Sequence, residues 1–395
     1  LNDEFDVIIV GAGPAGCGLA LSLALTDLRI ALLDRSDFPR RKVCGGAISE
    51  RTLNRLKEFP KELNLYQNFI DSVNKTASYG MRLYSPSLKE LEFDYKDHRK
   101  PKDIPGFVCE RSHFDDFMID QVRKHQNISV ITNSKVTGVK IEKDEVQVVC
   151  GVKIYRAKIV AGADGANSVV AKSILKRSIK RKNDVGISAH FENVTGFHKN
   201  DLIDLYFLKE TLPCYFWIFK LPDNKANAGL YFPSEKVIKN KINLKKLFEE
   251  IILKYPVISE RFKNAKRLDD FEGGTLPVAE NPFKKESGIY GGRYVLIGDA
   301  AGLIDPITGE GIGNALTSSK YASEAILQCF KNNDFSSRSL CNYGSMLQKK
   351  LKTEIYAHKF FRSFIFRNRI ILEMFFYFLR KINILSSTIK KILYK

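Results

Sequence analysis

Residues 5–16 restrict the fold of this chain more than any other stretch. Phe5-Asp6-Val7-Ile8-Ile9-Val10 is a short apolar, β-branched run, Gly11-Ala12-Gly13-Pro14-Ala15-Gly16 forms GxGxxG, and Ala20 to Leu25 continues as an apolar segment. Strand, glycine turn and helix in that order predict the first unit of an α/β, Rossmann-like dinucleotide-binding sheet. Gly11 takes the sharp turn, Gly13 lets a pyrophosphate reach the backbone, and Gly16 lets the helix lie close on the strand. The helix start at Pro14 and Ala15 then faces the phosphates with its positive end. A second strand, Arg29 to Leu33, ends at Asp34, whose carboxylate is placed to accept hydrogen bonds from ribose hydroxyls, with Arg35 beside it. The uncharged run Val7 to Leu25 imitates a membrane span or a signal sequence. Asp3, Glu4 and Asp6 precede it, however, and Gly11, Gly13, Pro14, Gly16 and Gly18 interrupt it, so a buried strand and helix fit better.

Two later segments repeat the pattern of an apolar strand ending in a small acidic loop. Ile159 to Ala163 runs into Asp164-Gly165, and Tyr294 to Ile297 runs into Gly298-Asp299. The second is followed by Asp305-Pro306-Ile307-Thr308-Gly309-Glu310-Gly311-Ile312-Gly313, a loop that opens another helix. With these segments in this order, the chain resembles the flavoprotein family built on the p-hydroxybenzoate hydroxylase fold, over residues 3–330. The resemblance implies bound FAD, with Asp34 on the adenosine ribose, Asp299 on the ribityl chain and Asp164 near the pyrophosphate. It also implies that Gly298, Gly309, Gly311, Ile312 and Gly313 line the flavin, and that Arg111 lies beside the cofactor. Arg111 also suits a plain salt bridge at the start of a helix.

Lys42-Val43-Cys44-Gly45-Gly46-Ala47 looks like the Cys-Gly-Gly segment of the geranylgeranyl reductase branch, which runs beside the isoalloxazine. Tyr215-Phe216-Trp217-Ile218-Phe219 looks like that branch's YxWxF stretch, although Lys220-Leu221 here displace the following proline to Pro222. Tyr215, Trp217 and Phe219 alternate along a strand and share one face of a sheet, either as plain core or, with Pro306, as the wall of an apolar substrate site. Cys44 is either a small buried residue or a proton donor beside the flavin. The implied activity is reduction of carbon–carbon double bonds in a prenyl or other lipid chain, with NADPH or another reductant as electron donor. A flavin monooxygenase acting on an aromatic or polyketide-like ring, and an electron-transfer flavoprotein serving a quinone, share the same cofactor motifs.

The resemblance sets the expected organisation. Residues 1–75, 100–175 and 273–330 form a discontinuous FAD-binding domain, 76–99 and 176–272 an antiparallel β-sheet substrate domain, and 331–395 a helical basic-aromatic segment. Within the substrate domain, Leu202 to Leu208 reads as a strand and Asn240 to Lys254 as a helix.

The 395 residues carry 63 Lys and Arg against 45 Asp and Glu, a net charge of +18 that favours anionic partners. From Lys359 to Lys395 nine basic residues face one acid, Glu373, among many phenylalanines. That tail suits an interfacial helix on anionic lipid or a helical cap on the substrate domain, and it lacks any nucleic-acid-binding signature. Seven scattered cysteines without a CxxC pair, and six scattered histidines, give neither a disulfide framework nor a metal site, so isolated histidines such as His190 and His358 read as structural. The expected location is cytoplasmic, peripheral on the inner membrane face.

Overall fold

The structure is a computed structural model and describes residues 3–96, 104–175, 181–279, 281–284 and 287–381. Its first layer is a six-stranded sheet in the order Tyr290–Gly291, Tyr294–Leu296, Ile159–Gly162, Val7–Val10, Ile30–Leu33, Ile128–Ile131. All neighbours are parallel except the short Tyr290–Gly291 hairpin strand. Val7–Val10, Ile30–Leu33 and Ile159–Gly162 are buried at every position, which is why they read as continuous apolar runs rather than as alternating ones. The helix Pro14–Ser22 packs on the helix Ile312–Asn332 through small residues. A Cβ on Gly18 would lie 2.8 Å from Leu316 Cδ2, and Ser319 Oγ donates to the Ala15 carbonyl at 2.6 Å. The two ends of the chain's cofactor motifs are thereby brought side by side.

The second layer is an eight-stranded sheet that runs Lys266–Arg267, Arg181–Glu192, Lys225–Pro233, Phe216–Lys220, Ile203–Tyr206, Gly80–Tyr84, Glu90–Asp94, with Glu272–Ala279 also paired to Arg181–Glu192. Three details differ from the expected antiparallel sheet. The strand within Leu202 to Leu208 spans Ile203–Tyr206 and pairs parallel with Gly80–Tyr84, because no hairpin joins two segments so far apart in sequence. Thr76–Ser78 leaves this sheet and pairs with Gly106–Val108, which also pairs with Ala47–Ile48. Glu272–Ala279 continues the sheet past residue 273, where the FAD-binding portion was expected to resume.

The sheet has two different faces. Phe216 and Ile218 face the helices Leu244–Lys254 and Pro256–Phe262, where Phe248 lies 5.1 Å from Phe216 and 4.7 Å from Phe271 between ring centroids. The expected helix over 240–254 begins at Leu244, where the Asn243 side chain accepts from Lys246 N, and ends where Pro256 starts the next helix. On the other face Tyr215, Trp217 and Phe219 join Leu205, Phe207 and Tyr231.

The basic tail supplies a helix to that second face. After the helix Ser337–Phe361 the chain makes a π-helical turn at Arg362–Phe366 and a helix at Arg369–Lys381. Leu372, Phe376 and Leu379 are buried, and Glu373 accepts hydrogen bonds from the Ser85 and Ser87 hydroxyls and from Ser87 N. The opposite side leaves Ile370, Met374, Tyr377 and Phe378 exposed. Residues 382–395 of the tail lie outside the described residues. Among the described residues no helix is long and apolar enough to cross a membrane.

Candidate active site

The glycine turn is built by close approach. A Cβ on Gly16 would lie 1.8 Å from the Gly11 carbonyl oxygen, and Gly11 itself has φ +101° with the Ala163 carbonyl oxygen 2.5 Å from its Cβ position. This second approach seats the Asp164-Gly165 loop against the turn. Gly13 is the N-cap of Pro14–Ser22, no side chain among the described residues caps that helix, and no acidic residue lies in its first turn. Its positive end is therefore left for an external anion.

Asp34 is buried and accepts from Ala12 N at 2.7 Å and from Ser36 N at 2.9 Å, which leaves part of its carboxylate free to accept further hydrogen bonds. Arg35, next to it, is exposed. Arg40 Nη2 reaches both Asp34 (3.8 Å) and Asp115 (3.6 Å), and Arg111 Nε donates to Asp115 at 2.6 Å. Arg111 thus does form the helix-start salt bridge, but its buried Nη2 and the buried Nε of Arg40 have no hydrogen-bond partner among the described residues. Buried guanidinium N–H groups without protein acceptors are costly, and beside an uncapped helix end they suit a bound diphosphate.

Asp164 turns inward. Its carboxylate accepts from the Ser168 hydroxyl and from Val169 N and Val170 N, so it caps the following helix. Burial pushes its pKa above the usual carboxylate value, and these hydrogen bonds oppose the shift. Gly298, with φ +57°, lies where a Cβ would be 2.9 Å from Ala15 Cβ, and a Cβ on Gly311 would be 3.3 Å from Asp299 Oδ1. Asp299, Gly311 and the start of the helix at Ile312 therefore meet the first glycine turn from the other side. Pro306 is buried in the intervening loop, Gly309 has φ +67°, and Tyr215 donates from its hydroxyl to the Thr308 carbonyl.

The Cys-Gly-Gly segment crosses the aromatic face of the sheet. A Cβ on Gly45 would lie 2.6 Å from the Phe219 ring and 3.1 Å from Trp217 Nε1. Gly46, at φ +83°, has its Cβ position 2.0 Å from the Cys109 carbonyl oxygen. Cys44 is half-buried, its sulfur accepts from Gly46 N at 3.4 Å, and the Arg111 guanidinium is its hydrogen-bonding neighbour. Burial pushes the neighbouring Cys109 thiol up to about 12, so that thiol is inert. A cavity of about 190 Å³ opens beside Cys44, lined among others by Arg41, Arg111, His190, Lys225, Asn227 and Asp269.

Comparison with known proteins decides what this arrangement belongs to. A model of the FAD binding domain matches residues 4–225. The chain belongs to this family. It is 28% identical over 379 residues to a digeranylgeranylglycerophospholipid reductase of Thermoplasma volcanium, covering 93% of this chain and 88% of that protein. A reductase of the same name from Thermoplasma acidophilum is 28% identical over 361 residues, with 89% and 85% covered. Among solved structures, a geranylgeranyl bacteriochlorophyll reductase-like protein of Thermoplasma acidophilum superposes with TM-score 0.76 at 24% identity, over 90% of this chain and 86% of its own. A flavin-dependent brominase superposes with TM-score 0.77 at 19% identity, over 99% and 93%. These two likenesses establish the shared fold.

As a member of the FAD-binding family the chain takes FAD as its cofactor, and its own residues fit the group. The uncapped start of Pro14–Ser22, the orphaned N–H groups of Arg40 and Arg111 and the open lone pairs of Asp34 are the donors and acceptors a dinucleotide needs.

Sequence reasoning missed several partners of these groups. Arg40 and Asp115 complete the Arg111 cluster, and Asp115 was available from its spacing of four residues on one helix. Behind the flavin loop, Asp305 pairs with His358 at 2.5 Å, while the Ser49 hydroxyl donates to Glu310. Burial would raise Asp305, but the His358 hydrogen bond holds it below the usual carboxylate range; burial raises Glu310 against the opposing charge of Arg51. Asp305, His358 and Glu354 also offer three ligand atoms within 4.8 Å of one another, where no metal was expected. His358 Nδ1 and Asp305 Oδ2 are hydrogen-bonded to each other, and Arg51 is paired to Glu354.

Proposed function

We propose that this chain reduces carbon–carbon double bonds of a geranylgeranyl-type prenyl chain carried on a lipid. The packing of Gly45 on Trp217 and Phe219 carries the reading, because it sets Cys44 beside the aromatic face of the sheet. The relatives named digeranylgeranylglycerophospholipid reductases, similar along nearly the whole chain, support it. FAD, when bound and reduced, would supply the hydride for one alkene carbon. Tyr215, Trp217, Phe219 and Pro306 exclude water and hold the apolar chain in line with the site. Cys44 Sγ, beside the Arg111 guanidinium, gives its proton to the other alkene carbon. Gly11, Gly13, Pro14, Ala15, Gly16, Asp34 and Arg111 hold the dinucleotide, and Gly298, Asp299, Gly309, Gly311, Ile312 and Gly313 line its flavin end.

The test is anaerobic reoxidation of the chemically reduced holoprotein, followed by flavin absorbance. Reoxidation by a geranylgeranylated glycerophospholipid but not by its saturated counterpart supports the reading. No reoxidation by either, with rapid reoxidation and oxygen insertion into an aromatic compound in air, would replace it by the monooxygenase reading.

We further infer that the C-terminal helices meet the lipid at an anionic membrane surface. Phe360, Phe364, Ile370, Met374, Tyr377 and Phe378 are exposed, and the exposed Arg367, Arg369, Arg380 and Lys381 lie among them. Each basic residue near such a surface adds roughly 1 kcal/mol of attraction at low salt. Flotation with vesicles containing phosphatidylglycerol, lost on Phe364→Asp with Phe378→Asp, is the expected result; equal flotation with purely zwitterionic vesicles would contradict it.

A further inference from the structure

Trp217 is the one tryptophan of the chain, and three hydrogen bonds connect its indole to an acidic side chain across the sheet. Trp217 Nε1 and Asn227 Oδ1 are 2.8 Å apart, Asn227 Nδ2 and His190 Nε2 are 3.2 Å apart, and His190 Nδ1 and Asp269 Oδ2 are 2.7 Å apart. The register explains the first links, since Asn227 stands opposite His190 on one neighbouring strand and opposite Phe219 on the other.

The direction of every bond follows from the first donor. An indole N–H can only donate, so Asn227 must turn its carbonyl to Trp217 and its amide N–H to His190. His190 Nε2 is then the bare, accepting nitrogen, and the ring proton sits on Nδ1, donating to Asp269. The chemistry thus assigns both the amide orientation and the histidine tautomer. Asp269 is held in turn, because its Oδ1 accepts from His190 N at 2.8 Å and Arg41 Nη1 lies 3.8 Å from its Oδ2. At the far end the indole is clamped. A Cβ on Gly229 would lie 2.3 Å from Trp217 Cζ2, and a Cβ on Gly45 would lie 3.1 Å from Nε1.

We propose that Asn227, His190 and Asp269 are positioning residues that hold the Trp217 indole against the Cys44-Gly45 segment. The inference rests on the proposed role of Trp217 as part of the substrate wall. None of the three need touch the reacting atoms. Their effect is to keep the wall from turning, so that an alkene resting on it stays aligned with the hydride donor, and a misplacement of about 1 Å at such a site costs up to about a hundredfold in rate.

A single tryptophan makes the test direct, because the ¹⁵N-labelled holoprotein gives one indole N–H resonance. His190→Leu and Asn227→Leu are expected to move that resonance, and His190→Gln, whose carbonyl can accept from Asn227, to restore it. In turnover, His190→Leu should lower kcat roughly tenfold with KM changed less than about twofold, since the remote binding contacts are intact. An indole resonance unmoved in both leucine variants would overturn the inference, as would failure of His190→Gln to restore it in a protein with wild-type melting temperature. A resonance that moves as expected in a protein that reduces no prenyl lipid would uphold the relay and overturn the proposed function instead.

Discussion

Gly16→Ala is expected to purify without FAD and to melt below the parent. The added Cβ would sit 1.8 Å from the Gly11 carbonyl oxygen and 3.3 Å from Ile9 Cγ2. Neither neighbour is the loose end of a flexible side chain. Gly11 cannot retreat either, because the Ala163 carbonyl already fills the space at its own Cβ position. The turn must open, which withdraws Ala12 N from Asp34 and displaces the helix start that faces the phosphates. Overpacking a core typically costs about 1–3 kcal/mol, and a clash of backbone with backbone belongs at or above the upper end. The ratio of flavin to protein absorbance, with melting curves taken with and without added FAD, measures both effects. Full flavin occupancy in this variant would mean that the turn is not the cofactor cradle.

Gly45→Val should have the reverse signature, with FAD retained and turnover lost. Gly45 lies outside the cluster of Asp34, Arg40, Arg111 and Asp115, so the cofactor's anchors stay in place. Its Cβ position is 2.6 Å from the Phe219 ring, and a branched side chain there must push Trp217 and Phe219 off the Cys44 segment. A fall in kcat/KM of about a hundredfold is expected, at near-normal flavin content and with a lowered melting temperature, since overpacking a buried contact costs about 1–3 kcal/mol. Wild-type kcat/KM in this variant would show that the segment and the wall do not enclose the reacting chain.

Much of the first layer was legible because its strands are buried on both faces and its turn needs glycine for steric reasons. Val7–Val10, Ile30–Leu33 and Ile159–Gly162 carry no polar alternation that another fold would demand. The Cys-Gly-Gly and Tyr-x-Trp-x-Phe segments could each be found by resemblance, but not their contact, which depends on how one loop crosses a strand about 170 residues away. His190 is the clearest loss. Read alone it is an isolated histidine, and only the pairing of Arg181–Glu192 with Lys225–Pro233 puts it opposite Asn227 and within reach of Asp269. The tail was ambiguous for a different reason. Arg369–Lys381 is apolar on two sides, so one side caps the sheet through Leu372, Phe376 and Leu379 while the other stays exposed, and composition alone cannot separate a cap from an interfacial helix.

Mass spectrometry of a geranylgeranylated glycerophospholipid, after anaerobic incubation with the reduced holoprotein, tests double-bond reduction most directly. The expected result is a ladder of products, each heavier by one hydrogen pair per reduced double bond, that disappears with Gly45→Val. An unchanged lipid after full flavin reduction, in a protein that binds FAD and folds normally, would contradict it.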